Sequence, residues 1–368
     1  MRLGCVLSAA LASVILTEAG KVVFKRPVSR QGFEHLGRVI GGTDAAGNAY
    51  PFAAFLMINE GDATAFCGGT IIADQWILTA GHCVVDTSID HVQHAPLNGT
   101  EPAIVLHTKL HTKHPMRALS EYSTVGADSV TVGLGSVSTN ELTALGVSDV
   151  FVHPDINLDY FDNDVALLKL ANKLTFNSNV QPIRLDTSEV TDGTTVTGIG
   201  WGVTSLETRN TADVLQQVDL KIGDEGLCHR IRPEFTGNNG NYICVTTPDG
   251  RDTCSGDSGG PLLRRCSSSP NQGGAAGVGE WIQLGITSYG DSVSMSPDAV
   301  CATKDGAGFY THAATYIGFI SETTGISREK LTGTCSGSRV DFVAGSAPLS
   351  AAPLALMAAA SLFSLIAF

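Results

Sequence analysis

The run Gly256-Asp257-Ser258-Gly259-Gly260-Pro261 puts a hydroxyl, a carboxyl and three glycines into six consecutive residues. Glycine has no Cβ, so such a turn tolerates unusual dihedrals and lets another backbone carbonyl come close. The N–H groups of Gly256 and Ser258 can then converge on one oxygen, as stabilisation of an oxyanion requires. A hydroxyl beside an oxyanion site suits acyl transfer, and that chemistry needs a base. His82 ends the segment Trp76-Ile77-Leu78-Thr79-Ala80-Gly81-His82-Cys83, which follows Cys67-Gly68-Gly69-Thr70-Ile71-Ile72. Two apolar strand-like runs thus lead into a histidine bracketed by cysteines. A third piece, Asp162-Asn163-Asp164-Val165-Ala166-Leu167-Leu168-Lys169-Leu170, sets Asp164 at the mouth of a run that reads as a buried strand. An acid placed there can orient an imidazole.

The chain order His82, Asp164, Ser258 is that of the chymotrypsin-like enzymes, not of subtilisins or α/β-hydrolases. From about residue 39 to about residue 324 the sequence resembles the trypsin-type serine proteases of the chymotrypsin family. The resemblance implies Ser258 as nucleophile, His82 as general base and then acid, and Asp164 as the group that holds the imidazole tautomer. It makes Gly256 and Ser258 the oxyanion hole. The implied fold is all-β: two antiparallel six-stranded β-barrels with the cleft between them, then a short C-terminal helix over 313–323. A catalytically inactive homologue acting as a protein-binding module is the alternative reading. A lipase or esterase does not fit, because the chain order differs and the glycine-flanked Ser258 is not read as lying on the strand–helix elbow that carries Gly-x-Ser-x-Gly in those enzymes.

Specificity and activation are read on the same footing. Asp252, two residues before Cys254, matches the base of the primary pocket of trypsin-like enzymes, where a buried carboxylate needs a cationic partner. Ser288-Tyr289-Gly290 and Gly306-Ala307-Gly308-Phe309-Tyr310 match the pocket walls, with Ser288, Gly290 and Gly308 assigned to substrate binding and Tyr289 replacing a more usual Trp. The expected partners are protein or peptide substrates with Arg or Lys before the cut, and protease inhibitors. Arg38 precedes Val39-Ile40-Gly41-Gly42, which in this family becomes the mature N-terminus after cleavage. A new ammonium at Val39 would pair with Asp257, a buried acid in need of a counter-charge.

The elements that must position these residues are bounded by composition. A chain of 368 residues with 41 glycines and 16% charged residues reads as a turn-rich β protein. The net charge of −13 argues against a nucleic-acid partner, since phosphate binding needs clustered Lys and Arg. No cofactor is implied. The organisation expected is a signal peptide over 1–19, an activation propeptide over 20–38, the first barrel over 39–180, the second barrel with the terminal helix over 181–324, and a spacer with a hydrophobic anchor signal over 325–368. Arg2, an apolar run over 3–16 and small residues to Ala19 carry the secretion reading. Secretion makes cysteines disulfide candidates. The resemblance pairs Cys67 with Cys83, Cys228 with Cys244, and Cys254 with Cys301. Most relatives carry a cysteine where Val196 precedes Gly200-Trp201-Gly202, so Cys266 is left to pair with Cys335 or to stay free.

Two insertions depart from a minimal trypsin. The first, about 85–128, holds His91, His94, His107, His111 and His114. The last three have a spacing that could bind metal on a helix, but Thr108, Thr112 and Pro115 oppose the helix, and a solvated loop without metal is the expectation. Asn98-Gly99-Thr100 is a glycosylation acceptor. The second insertion, about 267–280, is Ser/Gly/Pro/Ala-rich and reads as a surface loop. Beyond Cys335, small residues, a polar spacer and an apolar run over 354–368 form the pattern of a glycolipid-anchor signal, the route by which this chain would attach to a membrane. A membrane-spanning tail and a plain disordered tail are the alternatives.

Overall fold

A computed structural model describes residues 13–16, 22–25, 39–60, 63–86, 122–205, 211–266, 280–294 and 301–335. Arg38, Asn98, the five histidines of the first insertion, most of the second insertion and the apolar tail lie outside the described residues. Ser13–Leu16 and Val22–Lys25 form a small antiparallel pair within the segment expected to be removed.

Six antiparallel strands close the first barrel: β1 (Ala53–Glu60), β2 (Ala63–Ala73), β3 (Trp76–Thr79), β4 (Val130–Leu134), β5 (Thr143–Val152) and β6 (Ala166–Leu170). Their order around the barrel is β5-β6-β3-β2-β1-β4, and β4 pairs β5 to close it. Leu167 and Leu168 of β6 are both fully buried although they point to opposite faces. That explains why this strand reads as a continuous apolar run instead of an alternating one.

The second barrel uses β7 (Thr195–Gly200), β8 (Gln216–Ile222), β9 (Tyr242–Thr246), β10 (Pro261–Arg265), β11 (Trp281–Ser292) and β12 (Gly306–His312). Their order is β10-β7-β8-β9-β12-β11, closed by β10 on β11. In β8 burial alternates: Gln216, Val218, Leu220 and Ile222 face inward, and Asp219 and Lys221 face solvent. The two-barrel, all-β expectation is therefore met.

The barrels meet through an aromatic layer. Phe55 from the first lies edge-on to Trp201 of the second at 5.7 Å, and the Trp201 indole donates to the Val137 carbonyl at 2.8 Å. Thr43–Asp44 pair with Gln216–Gln217 of β8, so the start of the catalytic region is sewn to the second barrel. At the other end a 3-10 turn, Ala313–Tyr316, runs into α2 (Ile317–Thr324), while α1 (Glu225–Ile231) lies earlier, between β8 and β9. The left-handed Gly325 ends α2. Tyr316, Ile317 and Ile320 pack into the core of the first barrel, so the helix clasps the barrel it does not follow.

The chain does not leave the body there. It forms α3 (Arg328–Leu331), and then Thr332–Gly333 runs parallel to Leu185–Asp186. The described residues hold four disulfides: Cys67–Cys83, Cys228–Cys244, Cys254–Cys301 and Cys266–Cys335. The last resolves the open pairing. Val196, where the resemblance leads one to expect a cysteine, is buried in the apolar core of the second barrel. No helix among the described residues is long and apolar enough to cross a membrane.

The Cys266–Cys335 bond closes a separation of 69 residues. Replacing both cysteines with serine is expected to lower stability by up to about 4 kcal/mol through regained unfolded-state entropy. Urea unfolding of the purified double variant checks this; an unchanged midpoint would mean that the extension is held by packing alone.

Candidate active site

His82 sits in the 3-10 turn Gly81–Cys83 directly after β3, and its neighbour Cys83 is bonded back to Cys67 on β2. Space around Gly81 is tight. A Cβ there would meet the Ile156 side chain at 2.3 Å and approach Asp164 Oδ1 at 3.3 Å. Asp164 is fully buried just before β6. Its Oδ1 accepts the His82 backbone N–H at 2.8 Å, and its Oδ2 accepts His82 Nδ1–H at 2.8 Å. The Ser288 hydroxyl donates to the same Oδ2, and Thr311 donates to the Asp164 carbonyl at 2.9 Å. Two donors from the second barrel thus hold an acid carried by the first.

Those contacts set the electrostatics. Burial alone would push the His82 imidazole down, but the Asp164 carboxylate outweighs it and holds the imidazole above its usual value. Burial would likewise raise Asp164, yet His82 and the Ser288 hydroxyl hold it below the usual carboxylate range. The fixed Nδ1–H leaves Nε2 as the basic nitrogen.

Ser258 lies on a turn fixed from several sides. Asp257 N–H donates to the Cys254 carbonyl at 2.9 Å, Gly260 N–H to the Asp257 carbonyl at 2.9 Å, and Gly259 N–H to the Thr287 carbonyl at 2.8 Å. From the first barrel, Gly68 N–H donates to the Ser258 carbonyl at 2.7 Å. Gly256 and Gly259 have φ of +93° and +78°, where side chains are strained. A Cβ on Gly259 would also lie 2.1 Å from Thr79 Oγ1. The serine turn is therefore packed onto the end of β3, next to the His82 turn.

Asp257 is fully buried and accepts from Gly202 N–H at 2.7 Å and Cys254 N–H at 2.8 Å. These two donors only partly offset burial, which pushes the carboxyl up to about 7. Val39 is completely buried among apolar residues of the second barrel, including Val196 and Val218.

Asp252 is also buried. Its Oδ2 accepts Ala302 N–H at 3.0 Å, while Oδ1 has no partner among the described residues. A Cβ on Gly308 would come within 3.2 Å of that Oδ1. Gly308, which borders the acid, is paired across β11 and β12 with Gly290, so the strand partner of that position also lacks a side chain. Burial pushes this carboxyl up to about 7 as well. Ser288, assigned by sequence to the substrate, turns its hydroxyl to Asp164. That role and the Thr311 bond carry no local signal; only the pairing of β11 with β12 brings both to the acid. Cys67, His82 and Cys83 form the group of potential metal ligands among the described residues, but both sulfurs are in a disulfide, which removes the thiolates a metal would need.

A family model described as Trypsin matches residues 39–122 and 119–320. Brachyurin of Leptuca pugilator is 28% identical over 78% of this chain and all of that protein. Trypsin-1 of Astacus astacus is 31% identical over 77% of this chain and 98% of that protein. Phenoloxidase-activating factor 3 of Holotrichia diomphalia is 29% identical over 77% and 72%.

Gly68 supplies a direct test of the serine turn's placement. A Cβ there would lie 2.8 Å from Gly260 Cα and 2.9 Å from its nitrogen, backbone atoms that cannot rotate away. Gly68→Ala is expected to fold, but to cut the reaction rate of Ser258 with a small phosphonofluoridate by about a hundredfold, the cost of roughly 1 Å of misplacement. An unchanged rate would show that the turn is set independently of β2.

Proposed function

This chain belongs to the trypsin family, and on that footing we propose that it is a secreted endopeptidase, made as an inactive precursor, that hydrolyses peptide bonds after Arg or Lys. The observation that carries the specificity is Asp252, a buried carboxylate with one oxygen unpartnered among the described residues and Gly308 beside that oxygen. A guanidinium or ammonium is the ligand that such an oxygen lacks. Four disulfides suit an oxidising compartment.

In this reading His82 Nε2 takes the proton of Ser258 as its oxygen attacks the scissile carbonyl. The N–H groups of Gly256 and Ser258 hold the oxyanion that forms. Asp164 keeps the imidazole in the Nδ1–H tautomer and stabilises its cation without taking the proton. His82 then protonates the leaving amine, and water repeats the sequence on the acyl-enzyme. The raised imidazole must be neutral to act, so kcat/KM is lost as pH falls through its pKa, which lies above the usual 6.5 or so.

Activation follows from Asp257. Two N–H donors leave it short of a full counter-charge, and cleavage after Arg38 would supply an ammonium at Val39. The ion pair would draw Asp257, and with it Gly256 and Ser258, into the reactive arrangement.

Two experiments test this reading. With peptide amides differing only in the residue before the cut, Arg or Lys is expected to exceed Phe or Leu by at least about a thousandfold in kcat/KM. Asp252→Ser should erase most of that preference, and Ser258→Ala should abolish turnover in a folded, secreted protein. Binding of a small aryl amidine should weaken about tenfold per pH unit below the Asp252 value, because the cation selects the ionised carboxylate. A wild-type preference for Phe or Leu would remove Asp252 from the pocket floor. In the second experiment, Arg38→Gln is expected to yield an uncut and inactive protein, while N-terminal sequencing of active enzyme starts at Val39. Full activity of uncut Arg38→Gln would overturn the precursor claim.

A further inference from the structure

Arg232 caps the C-terminus of α1, which Cys228–Cys244 ties to β9, and its side chain is buried. It reaches across to the first barrel. One guanidinium nitrogen donates to the Tyr160 carbonyl at 2.8 Å and to the Tyr289 hydroxyl. The other donates to Asp162 Oδ1 at 2.6 Å and to the Tyr242 hydroxyl at 3.1 Å. Tyr242 in turn donates to Asp162 Oδ1 and reaches the Phe161 carbonyl at 2.9 Å. Residues 160–162 are thus gripped by Arg232 and Tyr242, two side chains of the second barrel, within a few residues of Asp164.

The grip fixes more than a loop. Phe161 adopts φ +56°, an uncommon conformation for a residue with a side chain, so its placement depends on these bonds. Its ring stacks on Tyr289 at 4.9 Å, and Tyr289 stacks on Phe309 at 5.0 Å with only 13° between planes. The free edge of this three-ring stack meets His82, 5.6 Å from Phe161 at 82°. Tyr289 lies between Ser288, which holds Asp164, and Gly290, which pairs with the Gly308 that borders Asp252. A Trp at 289 would offer the guanidinium no oxygen, so the Tyr here and Arg232 belong together.

We propose that Arg232 is a positioning residue that locks the Phe161–Tyr289–Phe309 stack beside His82, and so sets how tightly substrate residues preceding the one in the Asp252 pocket are held. This rests on the proposed protease reading. A single-residue amide would be held by the Asp252 pocket alone, whereas in this proposal a longer substrate also lies against the Phe161 and Tyr289 rings, which stand beside His82. Loosening the stack therefore removes binding from longer substrates selectively.

The test uses cleaved, active full-length enzyme and its Arg232→Lys, Tyr289→Phe and double variants. Lysine keeps the charge but loses the planar fork that serves four acceptors. A tripeptide amide ending in Arg is compared with a single-residue Arg amide, and a small phosphonofluoridate reports Ser258 reactivity. Arg232→Lys is expected to raise KM for the tripeptide about tenfold with kcat within about threefold, and to change the single-residue amide far less, the signature of lost ground-state binding. The double variant should be no worse than the worse single one, because both remove one shared contact. For Arg232→Ala, added guanidinium salt should lower the ratio of tripeptide to single-residue KM, since its competition for the Asp252 pocket raises both values alike while its filling of the Arg232 site helps only the tripeptide. If that variant does not fold, the lysine and phenylalanine variants still decide. Equal losses on both amides, a loss confined to kcat, or additive effects would overturn the inference. A wild-type enzyme without a reactive Ser258 would instead overturn the protease reading, and this inference with it.

Discussion

A carboxylate removed from water has to be compensated by donors that the fold brings to it, and Asp164 is compensated from both barrels. The His82 turn supplies two N–H groups, and β11 supplies the Ser288 hydroxyl. An unpaired buried charge of this kind would cost several kcal/mol, so the two barrels cannot drift apart without exposing or orphaning it. The cleft is therefore defined by an electrostatic requirement, with the aromatic layer around Phe55 and Trp201 supplying the apolar area that makes the meeting of barrels favourable.

Two other buried acids, Asp257 and Asp252, are less well served. Asp257 has two backbone donors and Asp252 has an oxygen with none among the described residues, and both carboxyls are pushed up to about 7. A carboxyl raised in the folded state contributes stability that is present below its unfolded value near 4 and is lost as pH rises through about 7. The fold thus carries two sites that are costly at neutral pH unless a cation arrives. Natural proteins tolerate such local deficits at functional positions and offset them elsewhere.

Much of this was legible in the sequence because the chemistry-bearing residues sit in short motifs. The runs carrying His82, Asp164 and Ser258 each combine a strand pattern with a turn, and the spacing of Asp252 from Cys254 points to the pocket floor proposed above. What escaped depends on contacts between distant segments. Arg232 reads locally as a helix-end charge, yet it bonds Asp162 seventy residues away. The partner of Cys266 stayed open because it is fixed by a parallel pairing of 332–333 with 185–186, which no local periodicity encodes. Thr43–Asp44 joins β8 for the same kind of reason.

That closing stitch also determines how the molecule would bear load. Beyond Gly333 the backbone is joined covalently, through Cys335 and Cys266, to the end of β10. A pull applied past residue 335 would pass through the sulfur bridge into that strand, bypassing α2 and α3. β10 is hydrogen-bonded to β7 on one side and β11 on the other, so the tension would be resisted in shear by two ladders at once. The helices that clasp the first barrel would be spared, and the force would run along the strand whose opposite end begins three residues after Ser258.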